Sequence, residues 1–464
     1  MSSQAKTTTA LPVLNPNAAG IDIGASAIYV GVPQDRANPC VRRFETFTKD
    51  LLAAADWLEA CGVQTIAIES TGVYWIALFE IREERGLDVC LVNARHLKNV
   101  PGHKSDVEDC QWLQFVHACG LLRASFRPNE QICAVRSLLR HRETLVAYAA
   151  SHVQQMQKAL IQMNLQLHNV LSDLTGKTGL AILDAILAGE RDTAKLAALR
   201  DFRIKASPEI IAKSLEGYYR PEHLFTLKQA LAAYRHYQQL IHECDQELEK
   251  RLVDLDGRID PTKHPLPHPG PQQKPSGGNA VRFAETDLRT QLYRILGVDL
   301  TEVPGLGTLS IHTLLAEVGP DLSAFPTDKH FSSWLGLCPQ NRISGDRVLS
   351  SHTRKGANRA AHVFRMAAQS LWHSRSFLGD YYRKMRARLG PAAANTATAH
   401  KLPAFSTTCS PQASPTMRAY SLRNKSANAS AENGVSVKRR SRWATNWCLK
   451  RAARSRSYSR GERP

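Results

Sequence analysis

Short apolar runs alternate with amphipathic segments over the first 134 residues. The first two runs flank Gly24-Ala25-Ser26, so residues 18–32 are predicted to form an antiparallel hairpin. Strands that begin in a hairpin and then alternate with helices predict an α/β domain over residues 18–134, with a mixed sheet covered by helices. The later segments have the lengths and periods of strands and helices in turn: strand 44–47, helix 50–61, strand 65–69, helix 74–85 and strand 88–92.

Helical spacing dominates the rest of the chain. Residues 135–259 predict a long-helix, coiled-coil-like middle region, whose apolar stripe over 221–255 has heptad-like spacing. That stripe fits either helix packing within one subunit or a dimer contact. A proline-rich linker over 260–278 then leads to a mainly α-helical C-terminal domain over 279–402. The basic residues near the start of the first long helix are expected on a solvated face: Arg136, Arg140, His141 and Arg142.

The chain is strongly basic, and much of its charge lies at one end. It has 60 Lys and Arg against 42 Asp and Glu, which gives a net charge of +18. Residues 403–464 contain 13 basic and 2 acidic residues, so they carry +11 and residues 1–402 carry +7. Such a charge favours a polyanionic partner, most simply nucleic acid, although a solvated basic surface has the same composition.

Cysteine usage and hydropathy bear on the cellular compartment. The ten cysteines include no CxxC pair, which argues against a zinc ribbon and fits a reducing compartment. Residues 1–17 form a polar leader without the basic start and apolar core of a signal peptide. No apolar run reaches the roughly 20 residues of a membrane helix. We therefore expect a cytoplasmic protein with no membrane partner.

Acidic residues recur at the ends of the predicted elements. Asp22 lies among apolar residues and glycines of the first strand, where desolvating a carboxylate is costly unless something compensates. Asp22 is therefore either an exposed strand-end residue or part of a cation site. Glu69 ends a later strand, and Asp106 and Asp109 share one face of the first turn of a helix. Acids at a helix start also complement the helix dipole, which is the structural alternative.

The four acids together indicate a metal site. Carboxylates that converge from strand ends and a helix bind hard divalent cations such as Mg²⁺ or Mn²⁺. Two such ions can hold the attacking and leaving oxygens of a phosphodiester. With the basic surface, this makes phosphoryl transfer on nucleic acid the leading reaction class.

Three stretches of the first domain resemble the DEDD (Piv-type) transposases and recombinases of bacterial insertion sequences. They read GIDIGASAIYVGV, AIESTGVYW and VNARHLKNVPGHKSDVEDCQWL. The resemblance covers about residues 17–401. It implies an RNase H-like (RuvC-like) catalytic domain in which the four family acids fall on Asp22, Glu69, Asp106 and Asp109.

A later stretch resembles the C-terminal transposase domain of the same family: WLGLCPQNRISGDRVLSSHTRKGANRAAHVFRMAAQSL. In the family a serine of this domain acts as a nucleophile, and we place it on Ser344, where Ser-Gly would expose a hydroxyl. A simple turn residue is the alternative, and Ser350 and Ser351 are rivals. Asp346 stands where the family usually has a second glycine. The residues expected to contact phosphates are Arg342, Arg347, Arg354, Lys355 and Arg359.

The resemblance breaks off near residue 403. The family continues as a helix resembling ARIxYHxL, whereas this chain reads PAFSTTC and goes on without an apolar period. Codons compatible with this stretch, read in a shifted frame, give Arg-Ile-Leu-Tyr-His-Met. We therefore hypothesise that residues 403–464 are an out-of-frame reading. The alternative is a genuine basic tail that binds nucleic acid, and either kind of tail is expected to be disordered.

The resemblance implies a DNA transposase that moves its own insertion sequence. The acids would bind metal ions, and Ser344 would attack a phosphodiester to form a phosphoserine intermediate. Family relatives use a guide RNA and act as tetramers. The implied partners are therefore DNA at the element ends and target, a guide RNA from the element, and further copies of the chain in a dimer or tetramer.

Two other functions stay open at this stage. A RuvC-like junction endonuclease would use the acids and water without the serine. A decayed, frameshifted transposase would bind nucleic acid without recombining it.

Overall fold

The chain divides into two compact units, Met1–Arg127 and Pro128–Pro464. A computed structural model describes residues 11–70, 72–93, 106–266, 279–345, 347–354, 356 and 358–409. No helix in these described ranges is both long enough and apolar enough to cross a membrane. The two units are described separately below.

A five-stranded mixed sheet forms the centre of the first unit. Its strands stand in the order β3-β2-β1-β4-β5. β1, β2 and β3 are antiparallel neighbours, whereas β4 and β5 run parallel to β1. The expected mixed sheet is therefore confirmed. The strands are β1 Ala18–Ile23, β2 Ala27–Gly31, β3 Val41–Glu45, β4 Thr65–Glu69 and β5 Asp88–Val92.

The third strand begins three residues before the predicted start at residue 44. Arg42 and Arg43 belong to it, although their charge breaks the apolar run. Strand pairing accounts for this, because β3 lies at the edge of the sheet. Arg42 also lies over the Trp57 ring, with its guanidinium carbon 4.7 Å from the ring centroid, so its charge is accommodated by a cation–π contact.

Helices cover both faces of this sheet. Helices α1 Thr48–Ala60 and α2 Trp75–Glu84 pack on one face, against the isoleucine and valine side chains of the three central strands. Helix α3 Asp106–Ala118 packs on the other face, where Leu113 meets Ala67 and Val92. Ser105, which the sequence predicts as the N-cap residue of this helix, lies outside the described residues. The face that carries α3 holds the acids considered below.

Two long helices dominate the second unit. Helix α4 Glu130–Gln162 and the later Pro221–Asp254 run antiparallel. The ring centroids of Tyr148 and Tyr237 are 5.5 Å apart, and the Cys244 thiol donates to the Leu138 carbonyl at 3.5 Å. The apolar stripe of the second helix is therefore covered within the subunit. The short helices between them are α5 Leu167–Val170, α6 Lys177–Leu187, α7 Thr193–Ala198 and α8 Pro208–Ser214, and Pro221–Asp254 is α9.

The expectation of a solvated basic face on α4 was wrong for Arg142. Arg142 is buried and pairs with Asp245 of α9 at 2.5 Å. Arg140 binds both carboxylate oxygens of Glu317, at 3.0 and 2.8 Å. These arginines face acids from distant parts of the chain, which the periodicity of one helix cannot reveal. Arg140 and His141 are exposed as expected, whereas Arg136 is half-buried.

The remainder of the second unit is mainly helical, as predicted. A short antiparallel ribbon, β6 Arg342–Ser344 and β7 Arg347–Ser350, replaces the loop expected there. It forms around Gly345, whose φ of +57° allows a tight turn, and the adjacent apolar pair Val348-Leu349 coincides with a shift in the strand register. The helices are α10 Leu288–Leu296, α11 Thr308–Val318, α12 Asp328–Trp334, α13 Arg359–Ser370, α14 Phe377–Leu389 and α15 Pro391–Cys409, with 3₁₀ turns at Leu300–Glu302 and Leu371–His373.

The final helix runs beyond the point where the resemblance breaks off. α15 continues through Pro403 to Cys409, so the first seven residues of the expected disordered tail are helical. Residues 410–464 lie outside the described residues, as do Lys355, Asp346 and most of the proline-rich stretch, 267–278.

Candidate catalytic site

Two acids lie side by side at the ends of parallel strands. Ile21 of β1 is in register with Ile68 of β4, so the next residues, Asp22 and Glu69, are neighbours across the sheet. Glu69 in turn pairs with Val92 of β5. Asp22 is half-buried, because β1 is the middle strand of the five. This end of the sheet therefore presents two adjacent carboxylates on the face covered by α3.

A pair of glycines lets α3 approach this face closely. Gly20 and Gly31 stand opposite each other in β1 and β2. A Cβ atom on Gly20 would lie 2.3 Å from the Gln114 nitrogen and 2.5 Å from the Cys110 carbonyl oxygen, so helix backbone rests directly on strand backbone. Gln114 also donates to the Ala18 carbonyl at 3.2 Å. This contact holds the first turn of α3, which carries two more acids, beside β1.

Replacing Gly20 with alanine should therefore force α3 away from the sheet. No flexible side chain can yield, because the atoms that the new methyl group meets are backbone atoms. We expect the free energy of unfolding to fall by about 1–3 kcal/mol, the usual cost of overpacking. Thermal or denaturant unfolding measures the change. Gly356→Ala is the control, because a Cβ there meets no atom within 4 Å; equal stability of the two variants would contradict the close contact.

The four acids interact electrostatically. Burial foremost, and then the negative charges of Glu69, Asp106 and Asp109, together raise the pKa of Asp22 from 3.8 to about 6. Asp106 and Asp109 lie in the first turn of α3, as predicted. The structure thus brings the four predicted acids into one group, called here the acid cluster.

The raised pKa of Asp22 means that ionising this carboxyl group lowers the free energy of unfolding. Between about pH 4 and pH 6 the folded chain holds a proton on Asp22 that the unfolded chain has released. Stability is therefore expected to fall as pH rises through this window. A bound cation would offset the same repulsion and restore the lost stability.

The carboxylate oxygens of the acid cluster are ligands that magnesium prefers, although the four side chains do not form a closed cage of ligands. Among the described residues, no group of three or more His, Cys, Asp or Glu side chains is placed to hold a metal ion. Mg²⁺ typically binds through one or two carboxylates and keeps several waters, so it does not need a closed protein cage. Cys110 is not a donor here, because burial foremost, and then the charge of Asp22, raise the pKa of its thiol to about 12.

Ser344 lies in the second unit, on the exposed ribbon. Ser344 pairs with Arg347, and Arg342 pairs with Ser350, so these four side chains share one face of the ribbon. Ile343 pairs with Val348 on the other face. The side chain of Ser344 is thus exposed on the same face as Arg342 and Arg347.

Two of the arginines expected to bind phosphate already have partners. Arg359 forms an ion pair with Glu143 of α4. Arg354 makes a long hydrogen bond, 3.4 Å, to the Trp334 carbonyl oxygen. Arg342 and Arg347 are exposed on the polar face of the ribbon. Of the four predicted phosphate contacts that the structure describes, these two are therefore the better placed.

Comparison with known proteins identifies the family. A family model for transposases of the DEDD IS110 type matches residues 19–165, and a model described as transposase IS116/IS110/IS902 family matches residues 299–383. Together the two matches span half of the chain and include the acid cluster and the ribbon. The chain belongs to the IS110 family of transposases.

One curated relative is similar to this chain over a short region. The insertion element IS110 uncharacterized 43.6 kDa protein of Streptomyces coelicolor is 33% identical over 90 residues. Those residues make up 19% of this chain and 22% of the relative. The similar region therefore spans about a fifth of either protein, and it extends the family assignment no further.

The IS110-family chain also places two residues beside the acid cluster that sequence reasoning missed. Asp22 pairs with Tyr29, and Tyr29 pairs with Arg43, so these side chains continue across the sheet on the same face. Tyr29 was read as one of several apolar strand residues. Arg43 directly precedes the predicted third strand, 44–47, so the sequence predicted neither its place in that strand nor its register with Tyr29.

Proposed function

We propose that this chain is a DNA transposase that cleaves and rejoins strands at the ends of an insertion sequence, with Mg²⁺ or Mn²⁺ as cofactor. Membership of the IS110 family supports the reaction class. The observation that carries the proposal within the chain is the raised pKa of Asp22, since three separate acids contribute to it. Four carboxylates grouped at a strand end are costly to keep without a cation, and hence indicate a cation site.

The first unit is proposed to be an RNase H-like, RuvC-like domain. The support is its five-stranded sheet, in which three antiparallel strands are followed by two parallel ones. The positions of the acids also support the proposal: they lie on the middle strand, at the end of the neighbouring parallel strand, and in the helix packed across them.

Each acid has a proposed role as an oxygen donor to the metal. Asp22 and Glu69 would bind from the sheet, and Asp106 and Asp109 from the first turn of α3. When bound, the ions would stabilise the charge that develops on the attacking and leaving oxygens of a phosphodiester. Asp22 must lose its proton to bind a cation, so activity should rise with pH through about 6.

Ser344 is proposed as the nucleophile. Its Oγ would bond to the phosphorus as the bond between phosphorus and one deoxyribose oxygen breaks. The serine proton goes to solvent, and the freed deoxyribose oxygen takes up a proton. The phosphoserine diester keeps the energy of the broken bond, so attack by another DNA hydroxyl rejoins a strand and releases the serine.

The exposed basic side chains of the ribbon would bind the DNA around Ser344. Arg342 and Arg347 share its face, so their guanidinium groups can bind the phosphates on either side. Further partners proposed from the family resemblance are a guide RNA from the element and other copies of the chain. The acids and Ser344 would act on the same phosphodiester in that homo-oligomer.

A junction-resolving endonuclease is the second candidate. The observation that favours it is that all four acids belong to one compact unit, which does not include Ser344. Such an enzyme would cut with water as the nucleophile and form no covalent intermediate.

Both candidates can be tested with one assay. The full chain is incubated with Mg²⁺, labelled DNA that carries the ends of the element, and RNA transcribed from the sequence flanking the gene. Strand cleavage with a DNA–protein adduct that survives denaturation supports the transposase. Cleavage without an adduct supports the endonuclease, and the absence of both would contradict the proposed function.

A further inference from the structure

An open groove of about 470 Å³ runs beside the acid cluster. Tyr29 and Arg43 of the sheet form one wall, and Val107 and Gln111 of α3 form the other. Asn38, Pro39 and Cys40 of the segment before β3, and Val41 at the start of β3, also line the groove. The groove is therefore built from the same sheet face and the same helix as the acids, and it lies within the first unit.

Register places the groove directly next to Asp22. Asp22 and Tyr29 are cross-strand neighbours, and Tyr29 and Arg43 are the next pair. Adjacent strands are about 4.8 Å apart, so the three residues span roughly 10 Å across the sheet. On the helix side, Val107 directly follows Asp106. A strand of nucleic acid bound at the acid cluster has this groove as its continuation.

The groove lining has the chemistry of a nucleotide site. Tyr29 is half-buried, so its ring is held by its surroundings while part of it stays accessible for stacking. Arg43 is exposed, and no described residue forms an ion pair with it. None of the lining residues is acidic, although four carboxylates lie beside the groove. An aromatic ring with an arginine next to it suits a base and a phosphate of one strand.

We propose that this groove, named here the nucleotide groove, binds the nucleotides that flank the scissile phosphate of a single DNA strand. Tyr29 stacks on a base, and Arg43 binds the phosphate on the far side of that base from Asp22. Gln111 and Asn38 add amide groups to the groove lining, and the Gln111 amide donates to the Cys40 sulfur at 3.6 Å. This inference rests on the proposed function, since it takes the DNA to be the strand held at the acid cluster.

Arg42 provides a matched control for Arg43. It is the preceding residue of the same strand, with the same charge, but it lies on the opposite face over Trp57. Arg42→Ala and Arg43→Ala therefore remove equal charge from the same edge strand. Only the second removes it from the nucleotide groove. Tyr29→Phe is the corresponding control for Tyr29→Ala, because it keeps the ring that stacks.

We measure the effect of these substitutions on the affinity for DNA. A fluorescent eight-nucleotide single strand is bound to the full chain without divalent metal. Tyr29→Ala should weaken binding about 5- to 100-fold, and Tyr29→Phe should bind within about twofold of the parent chain. Arg43→Ala should reduce the slope of log K against log salt by about 0.7, the loss of one phosphate contact, and Arg42→Ala should leave the slope unchanged. Equal effects of the two arginine substitutions would overturn the proposal.

Photocrosslinking locates the strand independently of affinity. The same DNA with 5-iodouracil in place of thymine should crosslink to Tyr29, identified by mass spectrometry of the digested adduct. The crosslink should also form in Asp22→Asn, which is expected not to cleave. A crosslink at Tyr29 without cleavage would support the nucleotide groove while the proposed catalysis fails. Cleavage that depends on the acids, with crosslinks elsewhere, would reject the groove and leave the proposed function standing.

The ribose form of the same oligonucleotide tests the choice of DNA. The proposal expects RNA to bind no more tightly than DNA and its crosslink to Tyr29 to be weaker. Tighter RNA binding that depends on Tyr29 and Arg43 would overturn the assignment to DNA. A chain that binds neither oligonucleotide would overturn the proposal altogether.

Discussion

Asp22→Asn should lower the rate of Mg²⁺-dependent DNA cleavage by about 10³-fold or more. Asparagine keeps the size of the side chain but removes the charge at the centre of the acid cluster. Glu69 is the neighbour of Asp22 on the adjacent parallel strand. Metal-assisted stabilisation of a phosphoryl transition state is worth several kcal/mol, and about 1.4 kcal/mol corresponds to a factor of ten. Single-turnover cleavage of labelled element-end DNA measures the loss.

Glu108→Gln is the matched control for this substitution. Glu108 lies in the same helical turn as Asp106 and Asp109, but it is not among the acids that raise the pKa of Asp22. It should therefore keep cleavage within a few-fold of the parent chain. Equal losses in Asp22→Asn and Glu108→Gln would show that cleavage depends only on the total negative charge in this region, and would contradict a specific cation site.

Ser344→Ala should abolish the covalent DNA–protein adduct and lower cleavage by on the order of 10³-fold or more, as expected when a nucleophile is removed. The side chain is exposed on the ribbon, so its replacement should leave the free energy of unfolding nearly unchanged. Denaturing gels that resolve free DNA, nicked DNA and adduct measure both effects in one reaction.

The rival serines give the controls for Ser344. Ser350 shares the polar face of the ribbon, opposite Arg342, and Ser351 follows it directly. Ser350→Ala and Ser351→Ala should both keep the adduct. Loss of the adduct in one of these variants, with Ser344→Ala active, would move the nucleophile to that residue. Full cleavage by Ser344→Ala without any adduct would favour the junction endonuclease.

The local pattern of apolar and polar residues predicted most of the helices and strands, but few of the contacts between them. The strands Thr65–Glu69 and Asp88–Val92 were predicted at their observed ends, because short apolar runs between polar residues leave little freedom. The ribbon was missed because its strands have only three and four residues and are almost wholly exposed, so no burial period marks them. Arg142 was misread because Asp245, its partner, is 103 residues away.

At the candidate site, too, the sequence predicted individual residues but not their neighbours across the sheet. The four acids could be proposed from the sequence, because carboxylates at strand ends and helix starts recur there and the family resemblance aligned them. Tyr29 and Arg43 could not be added to them, because their position follows from strand register. The glycine pair was seen only as part of a motif. The distances from a Cβ on Gly20 to the backbone of α3 show why the glycine is required.

The most direct measurement of the central claim is thermal unfolding of the parent chain and Asp22→Asn from pH 4 to pH 8, with and without Mg²⁺. Without metal, the variant should be more stable by about 1–2 kcal/mol above pH 6, after allowance for the partial exposure of Asp22, and the difference should vanish near pH 4. At pH 7, Mg²⁺ should raise the midpoint of the parent chain and leave that of the variant unchanged. Identical pH profiles, with the same response to Mg²⁺ in both proteins, would contradict a cation site built on Asp22.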